Sequence, residues 1–379
     1  MLEKIMAREG TLARLLVLYL LWNAAGVLGG SLIYLYFKEA GVTVLELVLS
    51  FLFWAIAPVL TIHLLDRTRG LNMRWIFIAG IAVQAIAYLL LALASPSALV
   101  LYLFSFLVGV NCFLFWVPFN ILFFEQCKGQ EASLSSLYFA INPFFGVFLP
   151  VVGGFIAQSI GFPFLFFIAL VMYAMVIPIA FFAIGNRSLS FSLQNSISDL
   201  KGFRTLILVE GAYGGGIAAS VTVISLFYFT TPADLGVFLS ATTLVSLIAS
   251  FIVSRISDAF RKRRKFITYS GSALSLATAV AALATTAMGW ASVISLRNFT
   301  SAIFYPFTTA IVLDRQRNVQ KTMVAREWLL NYGRVAGIAL VVFSSILLSD
   351  IHYSLLLLGL VILAYPVLIV RKGRMISAD

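Results

Sequence analysis

The sequence predicts an all-α polytopic membrane protein with twelve transmembrane helices, and three observations predict it. The first is composition. Of 379 residues, 61% are hydrophobic and 11% charged, against about 25% charged in soluble domains, and mean hydropathy is +1.03. So few polar side chains cannot cover a water-exposed globule of this length. The second is the recurrence of apolar runs near the roughly 20 residues that a helix needs to cross the bilayer core. The third is a charged clamp that occurs twice between such runs. It reads Asp66-Arg67-Thr68-Arg69-Gly70, ending at Arg74, and again Asp258-Ala259-Phe260-Arg261 on to Lys265.

On that ruler the first six spans fall near 11–36, 43–65, 75–94, 97–124, 133–158 and 161–184. The run from Thr11 to Phe37 exceeds an h-region of about 7–15 residues and lacks a small-residue cleavage site, so it is expected to be a retained span. The second six fall near 204–230, 234–254, 266–287, 290–313, 323–348 and 351–370. The shortest cuts rest on turn chemistry at Ser95-Pro96-Ser97, Gly161-Phe162-Pro163 and Met288-Gly289-Trp290. The longest polar stretch, 185–203, separates a six-helix half at 1–184 from a second at 204–379. Phe115-Trp116-Val117-Pro118 in span four has an echo in Phe304-Tyr305-Pro306 of span ten.

The charges test the layout. With alternating spans, 23 of the 26 Lys and Arg share one side with both termini, counting Arg326 at the start of span eleven with the loop before it. Only Lys38 lies opposite, and Arg297 and Arg334 lie within spans. Positive loops face the cytoplasm, so the expectation is a multi-pass protein of the cell membrane with both termini cytoplasmic. The net charge of +11 is thereby a topology signal, and no nucleic-acid partner is expected. Cys112 and Cys127 are about 22 Å apart along one helix, beyond the roughly 7 Å reach of a disulfide, and read as free thiols.

At these loops and in span five the chain resembles the major facilitator superfamily. Asp66-Arg67 and Gly70 are similar to its loop signature between spans two and three, with Ile62 where the signature opens on Gly. Asp258 and its basic tail resemble a second copy. Gly146, Pro150, Gly153 and Gly154 resemble the Gly-Pro-x-x-Gly-Gly motif of the superfamily's exporters, with Leu149 before the Pro. Many proton-coupled exporters carry an Arg in span four; here Ser105 stands four residues before Gly109. The resemblance implies two six-helix halves that alternate access to a central site. Asp66, Arg67, Arg74, Asp258 and Arg261 would form a cytoplasmic gate, the two aspartates capping helix ends of the opposite half.

Charges inside a bilayer are costly and face a cavity or a partner. Glu210, beside Gly211, Gly214, Gly215 and Gly216, is read either as a protonatable coupling carboxylate or as a helix-end group paired to a loop Arg such as Arg204. Arg297 is read as an anion or coupling site, or as a structural Arg on backbone carbonyls. Glu327, Asn331 and Arg334, spaced four and three apart, share one helical face and suit a gating network. Trp22, Asn23, Asn111, Trp116, Asn142, Tyr213 and Tyr305 are candidate pocket residues; the alternative is interhelical hydrogen bonding or an interfacial aromatic belt. His63 and His352 are solitary, and no metal spacing, catalytic triad or nucleotide fingerprint appears. No cofactor, metal or enzymatic activity is expected. The expectation is a monomeric secondary transporter in the lipid bilayer, exporting a hydrophobic or amphipathic small molecule against protons. The alternatives are uptake of a polar or anionic metabolite, and an uncoupled receptor or lipid scramblase on the same scaffold.

Overall fold

The structure, a computed structural model, describes residues 2–66, 70–126, 131–189, 191–257, 263–313, 319–348 and 350–371. The gate candidates Arg67, Asp258 and Arg261, and Cys127, lie outside them. The described chain is helical throughout, apart from one two-stranded ribbon. The helices before the middle of the chain are α1 (Leu2–Gly30), α2 (Ile33–Glu39), α3 (Val44–Asp66), α4 (Met73–Leu93), α5 (Ala98–Gln126), α6 (Glu131–Ser159) and α7 (Phe162–Ala183). After them come the short α8 (Leu193–Asp199), then α9 (Arg204–Tyr228), α10 (Pro232–Ser257), α11 (Arg263–Ala281), α12 (Ala287–Leu313), α13 (Val319–Leu347) and α14 (Tyr353–Arg371).

Ten helical segments are long and apolar enough to cross a membrane. They include the first span, where α1 and α2 follow one another across a break at Ser31-Leu32. That break is absent from the sequence expectation of one unbroken span. It sits where Gly29 packs against Tyr88 and Ala169, and where the Ser31 hydroxyl bonds back to the Val27 carbonyl, a local cause of helix kinking. The segments α11 and α12 fall short on hydropathy among the described residues. The first opens on Arg263-Arg264-Lys265 and is built from Ser, Thr, Ala and Gly, and the second carries Arg297 and Asn298. Both are packed into the bundle all the same, α11 between α12 and α14 and α12 against α10.

Large outward faces remain apolar, with Phe148, Phe155, Phe182, Leu276 and Leu360 all more than half exposed. Such a surface is stable in lipid, where the backbone satisfies itself within each helix. Inside, α4 packs on α5 and α7, α9 on α13, and α11 on α14. The longest seams between early and late helices are α6 with α10 and α3 with α13. Pro118, Pro143, Pro150 and Pro306 all lie within unbroken helical assignments.

The segment between α7 and α9 forms a strap. Strand β1 (Leu71–Asn72) pairs antiparallel with β2 (Ser188–Leu189), Leu71 opposite Leu189. Met73 N donates to Arg187 O at 2.7 Å and Arg74 Nε to Ile184 O at 2.5 Å. The Arg187 guanidinium grips both oxygens of Glu125, one at 2.9 Å. Gly70, at φ +70°, supplies the left-handed turn into the ribbon that side-chain-bearing residues disfavour. Beneath the strap Ile62, Met73, Phe113 and Leu193 pack with Met323 and Val324 of α13, and this cluster covers that end of the bundle.

Candidate functional site

The interior charges are positioned by a close helix pair. Gly211 and Gly215 of α9 face Gly333 and Gly337 of α13, each four residues apart. A Cβ added at Gly211 would stand 2.2 Å from Leu330 O, and one at Gly337 1.8 Å from Ala212 O. Only hydrogen at these positions lets the two backbones approach so closely. The approach carries α13 side chains directly onto α9.

Glu210, 5% exposed, accepts a hydrogen bond from Arg326 Nη2 at 2.6 Å, and the same nitrogen lies 3.2 Å from Thr309 Oγ1. Glu210 Oε2 and Arg326 Nε are buried without a hydrogen-bond partner. Arg326 is therefore not a loop residue. The helix α13 begins at Val319, two turns earlier, and lifts it into the bundle. Arg204, the loop partner considered for Glu210, instead donates to Ile197 O at 2.9 Å.

One turn along, Glu327, Asn331 and Arg334 do share a face. Arg334 Nη1 reaches Glu327 Oε1 at 3.0 Å and Asn331 Oδ1 at 2.7 Å, and Asn331 Nδ2 donates to Glu327 Oε1 at 2.8 Å. The Arg334 guanidinium lies 5.0 Å above the Trp54 ring of α3, so this network bridges the α3–α13 seam. Arg297 Nε donates to Tyr213 Oη at 3.1 Å and Nη1 to Asn298 Oδ1 at 2.9 Å. Tyr213 in turn meets Thr278 Oγ1 at 2.8 Å. Tyr305 lies within electrostatic reach of Arg297 and Tyr213.

Opposite, α1, α5 and α6 present a mostly aromatic wall. Tyr19 stacks on Phe119 and Tyr138 with centroids 4.8 and 5.1 Å apart, and Trp116 meets it edge-on at 6.0 Å. Tyr138 donates to Asn120 Oδ1 at 2.9 Å and lies within electrostatic reach of Arg326 and Glu327. Asn142 Nδ2 donates to Asn23 Oδ1 at 3.0 Å, joining α6 to α1. Trp22 is sandwiched, its ring 3.6 Å from Phe115 and edge-on to Tyr173. Asn111 spends its amide on Gly80 O at 2.6 Å. Trp22 and Asn111 thus serve packing between helices, while Tyr138 stands nearer the charges.

The span-five glycines sit in the α6–α10 seam. A Cβ at Gly154 would fall 2.5 Å from Pro232 O, at Gly146 2.6 Å from Thr243 Cγ2, and at Gly236 of α10 2.3 Å from Pro150 O. Gly153 faces Leu28 O of α1 at 3.0 Å by the same measure. Of the described gate residues, Asp66 Oδ1 accepts from Leu193 N at 2.8 Å. It thus caps the strap helix α8. Arg74 holds the ribbon and lies 5.0 Å over the Phe181 ring.

At the far end of the bundle a cavity of about 570 Å³ opens between α3, α9, α13 and the turn that precedes α14. Asp350 on its rim accepts from His352 N at 2.8 Å and contacts His352 Nδ1 at 2.7 Å. Burial pushes the Asp350 carboxyl up, but these hydrogen bonds and the imidazole outweigh it and hold it below the ordinary carboxylate value. Sequence reading missed Arg326, Tyr19, Tyr138 and this rim. The apolar turn Met323-Val324-Ala325, which opens the expected span at 323, already puts that arginine inside a helix.

Residues 10–337 match the family model described as Major Facilitator Superfamily. The uncharacterized protein YqgE of Bacillus subtilis (strain 168) is 25% identical over 329 residues, covering 79% of this chain and 75% of that protein. Among solved structures, the E. coli fucose:proton symporter FucP superposes with a TM-score of 0.70 at 15% identity, over 97% of this chain and 98% of the symporter. A POT family transporter in complex with a thioalcohol-conjugated peptide superposes with a TM-score of 0.74 at 12% identity, over 97% and 96% of the two chains. At these identities the superpositions speak to fold alone.

Proposed function

The chain belongs to the Major Facilitator Superfamily, and from that premise we propose that it is a proton-coupled secondary transporter exporting a hydrophobic or amphipathic small molecule. The observation that carries the proposal is the buried Glu210–Arg326 pair, 2.6 Å apart at the α9–α13 contact, with Tyr138 of the aromatic wall within electrostatic reach of Arg326.

Arg326 favours the ionised form of Glu210 while the pair is closed. If the pair separates during the cycle, the carboxylate is left in a low-dielectric site and takes up a proton. The opposite movement expels it. One membrane-buried carboxylate with a movable counter-charge is thus sufficient for proton loading and release. The solved neighbour is a fucose:proton symporter, and its coupling ion is carried over to this chain as part of the proposal. Export is supported by the aromatic wall and by the seam glycines resembling an exporter motif.

In this reading residues 1–184 and 204–379 rock about the α6–α10 and α3–α13 seams. The smooth Gly146, Gly154 and Gly236 contacts let α6 and α10 roll on each other. The basic end, with both termini, faces the cytoplasm. There the strap of 185–203, latched by Asp66, and the Glu327–Asn331–Arg334 network with Trp54 hold the inner gate closed.

The test is flux in proteoliposomes under an imposed pH gradient, comparing the intact protein with Glu210→Gln. Gradient-driven accumulation that disappears in the variant supports the proposal. Retained pH-driven flux in Glu210→Gln rejects Glu210 as the coupling group. The sign of flux separates export from uptake, and absence of gradient-dependent flux for every compound favours an uncoupled receptor or scramblase.

A further inference from the structure

Three arginines stand inside the described helical bundle, and two of them are neutralised where they stand. Arg326 has Glu210 at 2.6 Å and Arg334 has Glu327 at 3.0 Å. Arg297 is different. Its partners are the Tyr213 hydroxyl and the Asn298 side-chain carbonyl, and its guanidinium lies 5.7 Å from the Tyr213 ring centre. All three contacts are neutral. Among the described residues no carboxylate forms an ion pair with it.

A structural arginine in a membrane protein typically spends its donors on backbone carbonyls or a carboxylate. Arg297 does neither, and its side chain is half-buried. Neutral hydrogen bonds orient a guanidinium without offsetting the loss of solvation around its charge. The surroundings also offer an unused donor. The Tyr305 hydroxyl makes no hydrogen bond among the described residues, although its ring stands within electrostatic reach of Arg297. Asn298 and Tyr213 hold two edges of the guanidinium in place, which presets the remaining N–H groups.

We infer that Arg297 is the docking point for an oxyanion on the transported compound, a carboxylate, sulfonate or phosphonate attached to an apolar body. Guanidinium binds such groups through paired, charge-assisted hydrogen bonds, and Tyr305 adds a further donor. The half-buried Tyr305 ring beside it suits the apolar part. The inference names the substrate class of the transport reading and rests on it for the compound being cargo.

Binding is measured with the intact protein in lipid nanodiscs, by saturable tryptophan-fluorescence change and by thermal shift. The probes are 4-phenylbutyrate, 1-naphthoate, 1-naphthalenesulfonate and phenylphosphonate, each against a neutral control such as 4-phenylbutyramide or 1-naphthamide. At least one anion is expected to bind while its neutral counterpart does not. Arg297→Gln should weaken that anion at least about tenfold with its probe-free unfolding midpoint unchanged or higher, and Arg297→Lys should retain part of the affinity. Tyr305→Phe, a milder change, should weaken it a few-fold. Failure of every anion to bind, or equal binding by Arg297→Gln, overturns the inference. Binding and flux are scored apart: anion binding without pH-driven flux keeps Arg297 as an anion site and fails the transport reading, whereas pH-driven flux of a neutral probe unaffected by Arg297→Gln does the reverse.

Discussion

Removing one member of the Glu210–Arg326 pair should cost far more than removing both. Glu210 is 5% and Arg326 15% exposed at the side chain, and their polar atoms are 2.6 Å apart. Neither charge is therefore substantially screened by solvent. Glu210→Gln leaves a guanidinium facing a neutral amide, with Thr309 Oγ1 at 3.2 Å as its one further partner among the described residues. Breaking a buried pair in this way costs about 3–5 kcal/mol, because the remaining charge stays buried and uncompensated. Arg326→Met strands a carboxylate whose second oxygen already lacks a partner, and falls in the same range. In the double variant Glu210→Gln, Arg326→Met neither charge remains, so its loss should stay well below the sum of the singles. A coupling energy of about 2 kcal/mol or more is expected. The assay is a double-mutant cycle on unfolding free energy, in one detergent and at one pH. Additivity within about 0.5 kcal/mol would show that the two groups do not interact and would remove the basis for the coupling proposal.

The α6–α10 seam should resist any added side chain. Gly154→Ala and Gly236→Ala each place a methyl within 2.6 Å of backbone oxygen, an overpacking worth about 1–3 kcal/mol, whereas Gly214→Ala meets nothing within 4 Å and should gain up to about 1 kcal/mol of helix propensity; thermal unfolding of the three variants checks the order. Asp66→Ala should remove the cap on Leu193 N at about 0.5–2 kcal/mol of local stability, seen as faster proteolytic cutting within 185–203 while the α9–α13 core stays protected. At the far end, the lowered Asp350 carboxyl contributes stability that is fully present above the ordinary carboxylate value and is lost as pH falls through its lower folded-state value. Asp350→Asn should flatten the acid limb of an unfolding-midpoint profile measured from about pH 6 to pH 3, with no change above pH 6.

Spans, alternation and the basic side were legible in the residues because lipid imposes a one-dimensional rule: a helix must be apolar for about 20 residues. The rule is local, so a linear reading locates Val44–Asp66 or Phe162–Ala183 within a residue or two. The shared face of Glu327, Asn331 and Arg334 was legible for the same reason, since helical spacing within one element sets it. The rule weakens where packing replaces hydropathy. The helices α11 and α12 hold their places through small residues and neighbours, and Arg326, though inside the expected span 323–348, went unrecognised because its charge was counted with the basic loop before it.

Pairings between elements belong to the tertiary structure. Glu210 and Arg326 are 116 positions apart, Asp66 and Leu193 127, and the ribbon joins Leu71 to Leu189. Nothing in the spacing of such residues states which helix faces which. The aspartate of the charged clamp could be located in the chain, but its acceptor role toward the strap helix could not. By itself the sequence determined a multi-span helical bundle with one basic side. Which interior charges are paired, which one stands without a counter-ion among the described residues, and which glycines face one another were decided by how the helices pack. Such contacts follow from close approach of distant backbones, and hydropathy along a chain carries no record of them.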